Sequence, residues 1–177
     1  MLLELGTIIN QPGGVIPFAL DMDFSEMDFG GSRPATEPVH TAGQVRNEAG
    51  VLVLTGSIDT VLHCVCDRCA TPFDRPFHQD VEAVLVQELM HAQNEDDRTF
   101  LLKGDAADLD EIITTAFVLN MESKFLCSPD CKGLCARCGK DLNDGPCACP
   151  PPPADDAWTA LDGLVLPDRP PNPGADP

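Results

Sequence analysis

The sequence predicts an antiparallel, β-rich α+β domain with one or two short helices and a cysteine-rich C-terminal appendage. Three observations lead there. Apolar residues alternate with period two over several segments. A single segment combines a helix start signal with an apolar stripe. Six of the nine cysteines crowd between Cys127 and Cys149. At 177 residues the chain is long enough for one domain with a real core, plus appendages.

The elements follow in order. In IPFALDMDF, Ile16, Phe18, Leu20, Met22 and Phe24 fall on one face, with Asp21 and Asp23 on the other. That is the signature of a half-buried strand. After the loose stretch GGSRPATEP, two antiparallel strands are expected in VHTAGQVRNEAGVLVLTGSIDTVLHCVC, joined at Asn47-Glu48-Ala49-Gly50. Leu52, Leu54, Ile58, Leu62 and Cys64 would line the core, opposite Ser57, Asp59 and His63. A further strand is expected in FHQDVEAVLVQEL, after a turn around Pro72 and Pro76, and HAQNEDDR reads as a polar loop.

A helix fits DLDEIITTAFVLNM, with Asp108 as its cap and Glu111 completing a capping box. Leu109, Ile112, Ile113, Ala116 and Phe117 form its apolar stripe. The domain division that results is a β-rich core over 1–120 with its helix near 108–120, a cysteine segment over 121–149, and a tail over 150–177. The tail holds nine of the seventeen prolines and is expected to be largely disordered. Within it Trp158, Leu161 and Leu164 or Val165 recur at helical spacing, as a short docking helix would require.

Charge narrows the partners. Eleven Lys and Arg stand against 29 Asp and Glu, a formal −18. Most of the excess lies in residues 1–120, which hold 20 acidic and 6 basic side chains. In 121–149, Lys124, Lys132, Arg137 and Lys140 balance Glu122, Asp130, Asp141 and Asp144. A polyanion such as RNA is repelled by the acidic part, because nucleic-acid affinity comes largely from Lys and Arg displacing counterions. A basic protein is attracted to it. No apolar run approaches the ~20 residues of a membrane span. The opening MLLELGTIIN lacks a basic stretch and carries Glu4, so a signal peptide is not expected. The expected compartment is the reducing cytoplasm, where clustered cysteines bind metal more often than they form disulfides.

Cys135-Ala-Arg-Cys138-Gly139 is a metal knuckle: two intervening residues let both thiolates face one ion, and the glycine permits the tight turn. Cys147 and Cys149 follow, and Cys127 and Cys131 precede it. Far upstream, Cys66-Asp-Arg-Cys69 is a second C-x-x-C at the exit of a predicted strand. The arithmetic allows Cys66, Cys69, Cys127 and Cys131 to share one ion and Cys135, Cys138, Cys147 and Cys149 another, for one or two ions in all. Cys64 is left over as a buried, inert thiol.

Zinc is the preferred ion, since closed all-thiolate sites suit it and need no redox role. An iron–sulfur cluster takes the same four thiolates and would colour the protein. A thioredoxin-type pair would open a helix in a βαβ setting, which neither C-x-x-C has. No histidine sits among the thiols, His40, His63, His78 and His91 are scattered, and no phosphate loop or nucleophile elbow occurs. The acidic run Asp21, Asp23, Glu26 and Asp28 reads as a solvated face. No enzyme and no small-molecule substrate are expected. Only Leu134 and Leu142 are bulky aliphatics between Cys127 and Cys149, so metal is expected to stand in for a core in this zinc-knuckle appendage.

Two segments together resemble the YceD family of large ribosomal RNA subunit accumulation proteins. They are Cys66-Asp-Arg-Cys69 with Pro72-Phe73 behind it, and Leu126 to Asn143 followed by Cys147-Ala-Cys149. The order of β-rich half, C-x-R-C turn, acidic loop, short helix led by Leu109-Asp110 and cysteine segment also matches. Asp156-Ala-Trp158-Thr-Ala-Leu161 resembles a C-terminal motif of many members, with Asp-Ala where Asp-Pro-Arg is more usual. The resemblance spans roughly residues 15–165. It implies a bacterial, cytoplasmic, non-enzymatic ribosome-biogenesis factor supporting synthesis, processing or stability of 23S rRNA.

The family gene commonly neighbours that of a small basic large-subunit ribosomal protein. A basic ribosomal protein or a pre-ribosomal particle is therefore the expected partner. The family brings no catalytic residue to transfer, and not every member keeps all the cysteines, which makes zinc an accessory scaffold. The alternative is direct rRNA contact through Lys132, Arg137 and Lys140.

Overall fold

The computed structural model describes residues 1–87 and 98–150. Its centre is a five-stranded sheet made of β2 (Val15–Met22), β3 (Val39–Glu48), β4 (Val51–Val65), β5 (Pro72–Val86) and β6 (Thr99–Leu101) in that spatial order. All neighbours are antiparallel except β5 and β6, which run parallel, so the sheet is mixed rather than purely antiparallel. A small second sheet pairs β1 (Leu2–Glu4) with β7 (Ala106–Asp108). β7 runs directly into the helix α1 (Leu109–Leu119).

Alternation decides which face of the sheet is buried. Phe18, Val39, Val45, Leu52, Leu54, Ile58, Leu62, Cys64, Val81, Ala83 and Leu85 point inward, against Leu109, Ile112, Ile113 and Phe117 of α1. Phe117 is the hub: its ring centroid lies 4.7 Å from Phe24, 5.1 Å from Phe77 and 5.9 Å from Phe29. Such tilted and edge-on pairs add about 0.5–1.5 kcal/mol each beyond area burial. Phe18 fits because its cross-strand partner is a glycine. A Cβ on Gly43 would stand 2.8 Å from Phe18 Cζ and 2.3 Å from Thr55 O.

The β3–β4 hairpin closes on Ala49 and Gly50, both at positive φ, as a two-residue turn matching strand twist requires. Asn47 lies in β3 rather than in the turn, and its side chain is fully buried. Its Nδ2 donates to the Ile8 and Ile9 carbonyls at 2.7 and 2.8 Å, and its Oδ1 accepts from Gly50 N at 2.7 Å. A buried amide so satisfied ties the N-terminal loop to the hairpin.

A turn around Pro72 and Pro76 is corrected: both prolines lie inside β5, opposite Val65 and Val61. β6 pairs only with Val84–Val86, so among the described residues the earlier part of β5 is an edge. Two prolines four residues apart direct their missing N–H toward that same open side, where none is needed. The helix cap is Asp108, whose carboxylate accepts from Asp110 N at 3.2 Å. Glu111 differs from the capping-box expectation, because its carboxylate lies 3.6 Å from Lys103 Nζ, which also meets Asp108 at 2.6 Å. The polar loop at 91–97, His91 and the tail's docking helix lie outside the described residues.

Candidate metal centres

β4 and β5 are joined by Cys66 to Thr71, and this turn is the first knuckle. Ala70 N donates to Cys66 O at 2.8 Å and Cys66 N to Thr71 O at 3.0 Å, with Ala70 at φ 58. The second knuckle repeats the pattern. Gly139 N donates to Cys135 O at 2.9 Å and Cys135 N to Lys140 O at 2.8 Å, with Gly139 at φ 70. Both C-x-x-C segments thus fold into the same left-handed turn, which presents two sulfurs to one point. Alanine holds the strained position in one and glycine in the other.

The sulfurs of Cys66, Cys69, Cys127 and Cys131 all lie within 4.8 Å of one another, and so do those of Cys135, Cys138, Cys147 and Cys149. Cys66 Sγ is 3.8 Å from Cys131 Sγ, Cys69 Sγ 3.6 Å from Cys127 Sγ, and Cys135 Sγ 3.4 Å from Cys147 Sγ. Two separate four-thiol clusters of this size are each able to hold a metal ion. Cys64 belongs to neither. It points into the sheet core, where burial raises its pKa.

The inner cluster, that of Cys66, is held by cross-links to the chain returning from α1. Asp67 N donates to Phe125 O at 2.9 Å and Phe125 N to Asp67 Oδ2 at 2.7 Å. Arg68 Nη1 donates to Cys131 O at 2.9 Å, and Arg75 holds Glu122 and Leu126 O at 2.6 Å. Gly133 packs where a Cβ would stand 2.9 Å from Arg68 O. The sequence marks Asn143 only as a turn residue with Asp144 and Gly145, and gives Arg68, Arg75 and Gly133 no role.

Electrostatics are alike in the two clusters. The N–H of Cys127 holds the Cys66 thiol down to about 6, and the N–H of Cys138 does the same for Cys135. Cys69 beside it pushes Cys127 up to about 12, and Cys138 pushes Cys149 up to about 12. The first thiolate forms readily and the last is opposed by its neighbours. A cation among them removes that opposition. Lys132, Arg137 and Lys140 are all exposed around the outer cluster, and Lys140 Nζ is tied to Pro146 O at 3.0 Å.

The outer face of the main sheet bears the remaining titratable groups. Asp21, His40, Asp59 and His78 stand side by side across β2 to β5. His40 Nδ1 contacts Asp21 at 2.6 Å and His78 Nδ1 contacts Asp59 at 2.6 Å. Asp80 and Glu82 continue the face along β5, and His63 bridges Asp74 at 2.7 Å and Glu37 at 3.2 Å. No described helix is long and apolar enough to cross a membrane.

The model of the family described as large ribosomal RNA subunit accumulation protein YceD matches residues 54–165, which contain both clusters and the helix. The chain belongs to the YceD family. It is also similar to large ribosomal RNA subunit accumulation protein YCED homolog 1, chloroplastic, of Zea mays, at 26% identity over 179 aligned positions. That alignment covers 84% of this chain and 61% of the maize protein, so the chain spans somewhat less than two thirds of that relative's length. No solved structure matches.

Proposed function

We propose that this YceD-family chain supports the synthesis, processing or stability of 23S rRNA without catalysing a reaction. It does so by binding a basic large-subunit ribosomal protein, alone or within a pre-ribosomal particle. The observation that carries this reading is the open face of the sheet. Asp21, Asp59, Asp74, Asp80 and Glu82 are all exposed there, with His40, His63 and His78 set among them and Arg46 the exposed arginine of these strands. A flat acidic face steers a basic protein in and turns RNA away. A shielded ribosomal protein reaches the rRNA in time to protect it.

In this reading the eight clustered cysteines hold two zinc ions as scaffold, the core is 1–120, the zinc segment 121–149, and the tail 150–177. The metal supplies the cohesion that Leu134, 42% exposed, does not. Direct rRNA contact is the second reading. It is favoured by the exposed Lys132 and Arg137, which sit on the one segment that is not acidic.

A tagged pull-down from gently lysed cells, with and without RNase, tests both. A basic ribosomal protein is expected to remain after RNase and to be lost from the variant Asp59→Lys/Asp80→Lys. Partners that vanish with RNase, with loss on changing Lys132, Arg137 and Lys140 instead, would overturn the protein-contact reading.

A further inference from the structure

We propose that Asn143 couples the two cysteine clusters, so that the inner cluster holds its ion more firmly while the outer arm stays folded. This rests on the reading that each cluster holds an ion. Asn143 belongs to the outer knuckle's arm, between Asp141 and Cys147, yet its amide reaches the inner cluster. Nδ2 donates to Cys131 Sγ at 3.4 Å and to Asp141 Oδ1 at 2.8 Å, while Oδ1 accepts from Lys132 N at 2.8 Å. Asp141 Oδ1 also accepts from Asn143 N at 2.8 Å, which fixes the side chain's direction. Each polar atom of the amide therefore has a partner, and one of those partners is a sulfur of the other cluster.

The connection between clusters is short and pinned. Cys131 and Cys135 are separated by Lys132, Gly133 and Leu134 alone. Leu134 N donates to Arg68 O at 3.0 Å, which holds this link on the first knuckle, and Leu142 N donates to Gly133 O at 2.9 Å, which lays the outer arm over it. Cys131 is 4% exposed. Four thiolates around a divalent cation keep a net negative charge, so an N–H aimed at sulfur stabilises the filled site. Groups that support ligands in this way typically change metal affinity by roughly 10–100-fold when removed. Unfolding the outer arm withdraws that N–H and uncovers Cys131 to solvent at the same time. The coupling is reciprocal: an ion in the inner cluster holds Cys131 and Lys132 where the Asn143 amide meets them, and so steadies the outer arm in turn.

The test uses the full zinc-loaded chain, with zinc counted by native mass spectrometry and release followed by a chromogenic chelator. Two ions and two release phases are expected for the natural sequence. Asn143→Asp keeps the acceptor for Lys132 N but sets a carboxylate against Cys131. It is expected to speed the slow phase at least about tenfold with the outer ion still bound. Cys149→Ser should bind one ion and release it at that same raised rate, and the double variant should be no faster than Cys149→Ser alone. Should Asn143→Asp shed the outer ion, Cys149→Ser decides: a slow phase at the natural rate overturns the coupling. Fewer than two ions in the natural chain would sink the two-ion reading itself, whereas two ions with an unaltered slow phase in both variants would sink only the coupling.

Discussion

The two knuckles share one backbone design and differ in what surrounds them. The inner one caps the β4–β5 hairpin, and two of its sulfurs come from a strand turn while two arrive from beyond α1. Cys66, Cys69 and Cys131 are buried there, with Phe73 and Leu126 packed alongside. The outer one draws all four sulfurs from 135–149 and leaves Cys138 exposed. The same set of four thiols therefore joins distant parts of the chain in one place and lies within one short segment in the other. Context, not ligand type, decides what each contributes to stability.

The largest effect expected from breaking this contrast is at the inner cluster. Cys69→Ser should lower the unfolding free energy of the whole domain by about 3 kcal/mol or more, a part of the roughly 10 kcal/mol that a structural zinc supplies near pH 7. Denaturant unfolding followed by far-UV dichroism checks this, and an unchanged midpoint would contradict it. Cys138→Ser should act chiefly on its own arm: zinc content falls by one ion and amides over 135–149 lose their protection. Hydrogen exchange in β3 and β4 should quicken no more than the weakened inner ion allows, about tenfold, and exchange there as fast as in Cys69→Ser would erase the distinction between the clusters.

A smaller effect separates the turns themselves. Ala70 pays a left-handed penalty that Gly139 does not, so Ala70→Gly should stabilise the inner knuckle by about 0.5–1 kcal/mol and Gly139→Ala should weaken the outer by about 1 kcal/mol. Equal responses of opposite knuckles to zinc titration would argue against this reading. The smallest effect lies on the open sheet face. Asp74, then Glu37, raises the His63 pKa. Its folded value thus exceeds the ordinary 6.5 or so of an unfolded histidine. The contribution is fully present below that unfolded value and disappears as pH rises through the folded one. A slight drop in thermal midpoint between about pH 6 and 8 should vanish in His63→Gln.

Much of this was legible along the chain. Period-two alternation placed Phe18 and Leu52 to Cys64 on the buried face, and Asp108 ahead of an apolar stripe marked α1. Cys135 to Gly139 announced a knuckle through its glycine, and Cys66 to Cys69 stood out as a second C-x-x-C at a strand exit. These features depend on neighbours a few residues apart, which is the range over which sequence pattern and backbone geometry are linked. Prolines misled for a related reason: Pro72 and Pro76 signal a turn locally, and only the strand order shows that they sit on an edge.

The sequence by itself determined β2, β3, β4 and the later part of β5, the helix, the count of thiols and the excess of acid. Tertiary structure alone decided that Cys69 meets Cys127 across 58 residues, that the acidic side chains gather on one open face, and that Asn143 touches the other cluster's sulfur. Spacing counts residues along the chain, whereas these contacts depend on the β4–β5 register and on where α1 releases the chain.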